Sequence, residues 1–164
     1  MLKNFRPVSN LSFVSKLIEK LVHDQLFCHL DHSNLWHTFK SAYRQKHSSG
    51  TAVFRVFNYL PTASDSGSIS ILTLLDLGAA FDTIDHSILL TRLENAFGIR
   101  DLALSFFRSY QQDRLQEITV NEIKSSPSFL TRGVPKGSVS GPTLFILYTQ
   151  PLSDVISISS HVCG

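Results

Sequence analysis

Cysteine, tryptophan and charge are all scarce in this sequence of 164 residues: two Cys, one Trp and 17% charged side chains. Cys28 and Cys163 provide no disulfide framework and suit a reducing compartment. A charged fraction below the usual quarter excludes supercharged tails, coiled coil and charge-driven disorder. No long apolar run is present either. The longest, residues 69–75, is interrupted by Ser70 and Thr73 and is far too short to cross a bilayer. Residues 1–15 carry Lys3 and Arg6 but no continuous apolar segment, so the sequence reads as having no signal peptide. An intracellular protein with no membrane partner is expected. There is no internal repeat and no low-complexity tract.

What the chain does have is apolar content, 43% hydrophobic, enough to bury a core in one domain or two small lobes. Its net charge of +2 is unevenly spread. Residues 1–60 carry eight Lys or Arg against three Asp or Glu, whereas residues 61–100 carry two against five. A basic first third beside an acidic middle is compatible with a phosphate-binding surface beside a cation site, and equally with ordinary scatter of surface charge.

Periodicity organises the chain. Val14, Leu17, Ile18, Leu21, Val22 and Leu26 have helical spacing, with Asn10 or Ser12 as N-cap. Ser48 or Ser49 caps a second expected helix with Ala52, Val53, Val56, Phe57 and Leu60 on one face, ending before a loop at Pro61. Residues 69–76 are β-branched and apolar on both faces, the pattern of a buried strand. A helix then carries Ile88, Leu89, Arg92, Leu93 and Ala96 and stops at Gly98. Asp101 is placed to cap a further helix that buries Leu104, Phe107 and Tyr110. Gln116, Ile118 and Val120 suit a strand returning near residues 128–131. Pro142 opens a last helix running to about Leu152.

Asp76 is the most informative residue. A carboxylate at the end of an apolar buried strand must be compensated, by a cation or by a metal ion; the competing reading is a strand-end Asp capping the next helix. Asp82 and Asp85 follow closely. Other matches fail. Residues 133–138 lack the Gly-Lys-Ser/Thr ending of a phosphate-binding Walker loop, and residues 137–141 have Val139 where a nucleophilic serine is needed. Cys28, His29, His32 and His37 cluster without the second regular pair of a zinc site and read as a polar helix end.

Four ordered segments carry a resemblance. Leu75-Asp76-Leu77-Gly78-Ala79-Ala80-Phe81-Asp82-Thr83-Ile84-Asp85-His86-Ser87-Ile88-Leu89-Leu90 resembles motif A of the reverse transcriptases of non-LTR (LINE-type) retrotransposons. Asn4-Phe5-Arg6-Pro7-Val8-Ser9-Asn10 resembles the family's opening fingers motif, and Phe39-Lys40-Ser41-Ala42-Tyr43-Arg44, with His47-Ser48 and Thr51-Ala52, the next one. Gly133-Val134-Pro135-Lys136-Gly137-Ser138-Val139-Ser140-Gly141-Pro142 resembles motif B. Phe106-Phe107-Arg108-Ser109-Tyr110 fits the stretch between A and B.

The resemblance implies an α+β fold, a partial right-hand polymerase with fingers (1–66 and about 87–130) and an incomplete palm (67–86 and 131–164). It implies RNA-directed DNA synthesis by two-metal nucleotidyl transfer, with an RNA template, a DNA primer and a dNTP as partners and Mg2+ as cofactor. By the same resemblance Asp76 is catalytic and, with the backbone carbonyl of Leu77, binds metal; Leu77 also borders the nucleotide. Arg44 grips the triphosphate, for which a guanidinium fork is well shaped. Phe81 packs under the incoming sugar, though a core Phe is a serious rival reading. Lys136 and Gly137 bring the motif B loop against the nucleotide, and Lys3, Lys40 and Lys46 would hold template phosphates.

The departures matter too. Lys136 stands where the family has Gln, Gly78 where Ser is usual and Ser140 where Leu is usual. The Tyr-x-Asp-Asp hairpin of motif C does not occur in the sequence. Asp76 alone cannot hold two divalent ions, so whether this chain is by itself an enzyme is left open and no polymerase activity is expected from it alone. A non-catalytic nucleic-acid-binding remnant, or a relic without function, is the alternative reading.

Overall fold

The computed structural model describes residues 9–37, 40, 42–43, 47–67, 69–72, 77 and 79–159. They fall into two compact units, one of residues 1–35 with 79–164 and one of residues 36–78. Helices and short strands together make the chain α+β.

In the larger unit, α1 (Phe13–His32) starts where Ser12 accepts a hydrogen bond from the Ser15 N–H. It ends in a Schellman motif: Asn34 takes φ 50°, its N–H reaches the Asp31 carbonyl and that of Leu35 the Leu30 carbonyl. The buried face is the expected one only in part, at Leu26 and the half-buried Val22. Glu19, Leu26 and Leu30 point inward, while Val14, Leu17, Ile18 and Leu21 are exposed. The helix has two apolar stripes, and Glu19 has polar partners on the core side that fix which stripe turns in.

Helix α3 (His86–Asn95) buries Leu89 and Leu93 and closes with Gly98 at φ 66°, whose N–H bonds the Glu94 carbonyl. Helix α4 (Asp101–Gln111) buries Leu104, Phe107 and Gln111, with Tyr110 only partly covered. Asp101 is its first residue and not its cap; Arg100 is the N-cap, and Asp101 places negative charge at the positive end of the helix. Helices α3, α4 and α5 (Gly141–Tyr148) enclose the core, in which Ile84, Phe97, Leu144 and Leu147 are fully buried.

The strand expected around residues 116–120 is divided. β1 (Leu115–Gln116) pairs with β4 (Ser128–Phe129), and β2 (Thr119–Val120) with β3 (Ile123–Lys124), all antiparallel and exposed. Two residues separate β1 from β2 but three separate β3 from β4, so the register slips by one. The extra residue sits beside Pro127, which has no N–H to give a ladder. The last helix also divides. Thr149 separates α5 from α6 (Gln150–Ser159), because Pro151 cannot donate to the α5 carbonyls and the Thr149 hydroxyl bonds those of Phe145 and Ile146 instead.

In the smaller unit, α2 (Ser49–Asp65) opens with a capping box between Ser48 and Thr51. It runs on through Pro61, where a loop was expected. Pro61 stands in the last turns, where only one ladder bond is lost, and the Thr62 hydroxyl bonds the Asn58 carbonyl just there. The buried strand expected over residues 69–76 is not found in its described part. Residues 69–72 are neither strand nor buried, Ile69 being 94% exposed. A strand needs a neighbour for its backbone groups, and none pairs with this stretch among the described residues. Residues 73–76 lie outside the described residues.

Candidate functional site

The best-defined site is the loop of residues 133–141 and the segment against which it is held. Ala79 turns the chain at φ 53° into a short 3-10 turn, Ala80–Asp82. Residues 81–85 then run antiparallel to residues 132–134. The Val134 N–H donates to the Phe81 carbonyl at 2.8 Å and the Gly133 N–H to the Ile84 carbonyl at 2.7 Å, while Asp85 and Arg132 form a bridge. Gly133 is required here. Its φ is 87°, and a Cβ would lie 2.8 Å from the Phe81 carbonyl oxygen.

Side chains add to this backbone seam. His86 Nε2 donates to the Gly133 carbonyl at 2.7 Å, which fixes the ring tautomer. Lys136 Nζ meets Asp82 Oδ2 at 2.7 Å. Asp85 caps α3, accepting from the Ser87 N–H and hydroxyl and from the Ile88 N–H. The Ser87 hydroxyl, followed by the Ile88 N–H, holds its carboxyl below the usual range. The Phe81 ring is half-buried, with its centroid 5.6 Å from that of Phe145 in α5.

Further along, the Ser138 N–H bonds the Pro135 carbonyl, and Gly137 supplies the φ of 90° that this tight turn needs. The Ser9 N–H reaches the Lys136 carbonyl at 3.0 Å. The Ser138 hydroxyl accepts from the Gly141 N–H, starting α5. His23 Nε2 lies 3.0 Å from Thr143 Oγ1, so α1 also meets the beginning of α5. Glu19, fully buried, accepts from the Val139 N–H at 2.8 Å through one oxygen and from the Tyr110 hydroxyl at 3.1 Å through the other.

The residues singled out in the sequence separate into three groups. Phe81, Lys136 and Gly137 are brought to one seam. Leu77 is described and exposed, and belongs to the smaller unit. Asp76 and Arg44 lie outside the described residues, as do Lys3, Lys46 and Gly78. Sequence reasoning missed Glu19, His86 and Thr143. Glu19 carried a signal, an acid on the seven- and eleven-residue stripe with Leu26 and Leu30.

Both neighbouring acids have partners: Asp82 pairs with Lys136, and Asp85 caps α3. Among the described residues no three His, Cys, Asp or Glu side chains converge in a metal-binding group. The described residues do not by themselves fit a two-ion site. The Cys28–His37 cluster is dispersed as well: His29 bonds the Phe97 carbonyl at 2.8 Å, and His32 turns back to Cys28. Among the described residues no helix is long and apolar enough to cross a membrane.

Comparison with known proteins agrees with the motif order. The family model of reverse transcriptase (RNA-dependent DNA polymerase) matches residues 2–163. The chain is 29% identical over 150 residues to "Probable RNA-directed DNA polymerase from transposon BS" of Drosophila melanogaster, covering 92% of this chain and 16% of that protein. It is 28% identical over 149 residues to "RNA-directed DNA polymerase from mobile element jockey" of Drosophila melanogaster, covering 91% of this chain and 16% of the relative. The jockey protein of Drosophila funebris is 27% identical over 161 residues, 98% of this chain and 17% of its own length. The chain thus spans about one sixth of the length of these relatives. With a match over nearly its whole length, this chain belongs to the reverse transcriptase family, in the company of non-LTR mobile elements.

Proposed function

We propose that this chain is the template- and nucleotide-facing part of a retrotransposon reverse transcriptase, made of fingers (1–66 and about 87–130) and part of the palm (67–86 and 131–164). On this reading it engages an RNA template paired to a DNA primer, together with a dNTP, and contributes to two-metal nucleotidyl transfer. The observation that carries the reading is the seam between the motif A and motif B segments, which puts Phe81 beside the glycine-bearing loop. An aromatic ring next to a loop with little side-chain bulk is a surface on which a nucleotide can lie flat.

Phe81 is assigned to the sugar, and Lys136 and Gly137 to the nucleotide and template backbone. Arg44 is assigned to the triphosphate, and Asp76 with the Leu77 carbonyl to Mg2+. Magnesium prefers such oxygen donors in octahedral array. Because Asp76 alone cannot hold two divalent ions, the chain by itself acts as a binding unit, and the two-metal chemistry needs further carboxylates.

The test is fluorescence anisotropy of a labelled RNA template–DNA primer duplex titrated with the 164-residue chain between 50 and 200 mM salt (about the range over which phosphate neutralisation is read). Primer extension with Mg2+ and dNTPs is run alongside. Binding that weakens steeply with salt, without extension, is expected. Absence of salt-dependent binding would overturn the nucleic-acid reading; extension by this chain would overturn the binding-unit reading.

A further inference from the structure

Glu19 is fully buried, at 1% exposure, on the core side of α1 beside Leu26 and Leu30. A carboxylate is costly there unless both oxygens are satisfied. Both are. The Tyr110 hydroxyl comes from α4, and the Val139 N–H comes from the turn of the loop that precedes α5. Tyr110 is itself held: the Arg114 guanidinium lies 5.0 Å over its ring and bonds its backbone carbonyl at 3.2 Å. Among the described residues Glu19 is the one side-chain acceptor bonded to the backbone N–H groups of residues 136–139, and it lies 120 residues away in the sequence. The opposite margin of the loop is fixed by Phe81, Ile84 and His86. Lys136 is tied by the Ser9 N–H and by Asp82, and Glu19 holds the Val139 end.

We infer that Glu19 is a positioning residue for the 133–141 loop, its buried carboxylate fixing the Val139 end of the loop in the conformation that receives nucleic acid; this rests on the nucleic-acid reading above. The acceptor matters here more than the charge. Leucine at this position fills similar volume but leaves the Val139 N–H without a partner, so the loop must shift toward water. Glutamine offers its amide oxygen to Val139 and its NH2 to the Tyr110 oxygen, and so preserves the tether.

Two readouts test this in the 164-residue chain. Amide hydrogen exchange at Gly137, Ser138 and Val139 should rise at least about tenfold in Glu19→Leu while α3 and α4 are unchanged; Glu19→Gln should stay within about threefold of the parent. Anisotropy with the RNA–DNA primer–template should show about tenfold weaker binding for Glu19→Leu and recovery in Glu19→Gln. Loop exchange that is unaltered in Glu19→Leu, or that rises equally in every helix, overturns the inference. So does undiminished binding by a variant whose loop exchange has risen. If Glu19→Leu does not fold, Glu19→Gln decides alone: loss of loop protection or of binding in a folded Gln variant overturns it, because its acceptor is intact. A parent chain that fails to bind the duplex sinks the nucleic-acid reading instead, and the exchange experiment still reports whether Glu19 holds the loop.

Discussion

The Val134 N–H donates to the Phe81 carbonyl at 2.8 Å, tying the ring-bearing turn to the glycine-rich loop. The Lys136–Asp82 pair, 54 residues apart in sequence, spans the same seam. Loop and turn therefore move together. A displacement of residues 133–137 also displaces the Phe81 ring and its packing on Phe145.

Gly133→Ala breaks this seam. The added methyl meets the Phe81 carbonyl oxygen at 2.8 Å and Asp82 Cα at 3.0 Å, both backbone, on a residue already at φ 87°. A loss of at least about 2 kcal/mol is expected in urea unfolding. Gly98→Ala is the control. It also has positive φ, 66°, but nothing lies within 4 Å of the new methyl. It should cost only the left-handed penalty of about 1–2 kcal/mol. Equal losses would show that conformation, and not the close approach of the two segments, requires Gly133.

Lys136→Gln removes the ion pair with Asp82. The lysine side chain is 29% exposed and the aspartate 52%, so solvent screens the pair despite its 2.7 Å separation. A double-mutant cycle with Asp82→Asn should give a coupling below about 1 kcal/mol, smaller still in high salt. A coupling of several kcal/mol, insensitive to salt, would mean that the pair is structural and that Lys136 is not free to meet a nucleotide.

Much of this was legible in the sequence, and what was not has definite causes. Caps at Ser12 and Ser48 and the stop at Gly98 are local chemistry, read from a few neighbouring residues. The α+β class and the order of the motifs came from the family resemblance instead, which the match over residues 2–163 supports. The direction in which α1 turns was not, because its periodicity allows two apolar stripes and a partner in α4 selects between them. Residues 69–72 have strand composition, yet composition supplies no neighbouring strand. Pro61 and Pro151 show the two fates of a proline, tolerated in α2 and breaking the ladder between α5 and α6. At the site, Phe81 and Gly137 could be picked out by resemblance. Glu19 and His86 act across 120 and 47 residues of sequence, which no local pattern spans.

Ser140 stands where the resemblance to motif B leads one to expect leucine. It is 2% exposed, and its hydroxyl has no hydrogen-bond partner among the described residues. A buried unpaired hydroxyl costs about 1–3 kcal/mol, and a leucine has no such group. Ser140→Ala should therefore stabilise the chain by about 1 kcal/mol, seen as a higher urea midpoint at unchanged slope. A lower midpoint would show that the hydroxyl is satisfied in solution.

Tyr110 sets an alkaline limit on stability. Burial foremost, reinforced by the charge and hydrogen bond of Glu19, pushes its phenol up from 10.0 to about 12. Between these values the unfolded chain releases the proton and the folded chain keeps it, so the folded state binds more protons and stability falls as pH rises. Below pH 10 this contribution is fully present. Tyr110→Phe removes both the titration and the hydrogen bond to Glu19. At pH 7 the variant should be less stable by about 1 kcal/mol, the ordinary worth of such a bond. Between pH 10 and 12 it should lose less stability than the parent, and the difference between the two should shrink. The other tyrosines and the lysines are common to both chains and cancel in that difference. Urea unfolding at pH 7, 10 and 11.5 (about the span over which the phenol titrates) checks the sign, and a gap that stays constant would mean that the Tyr110 phenol is not shielded by α1.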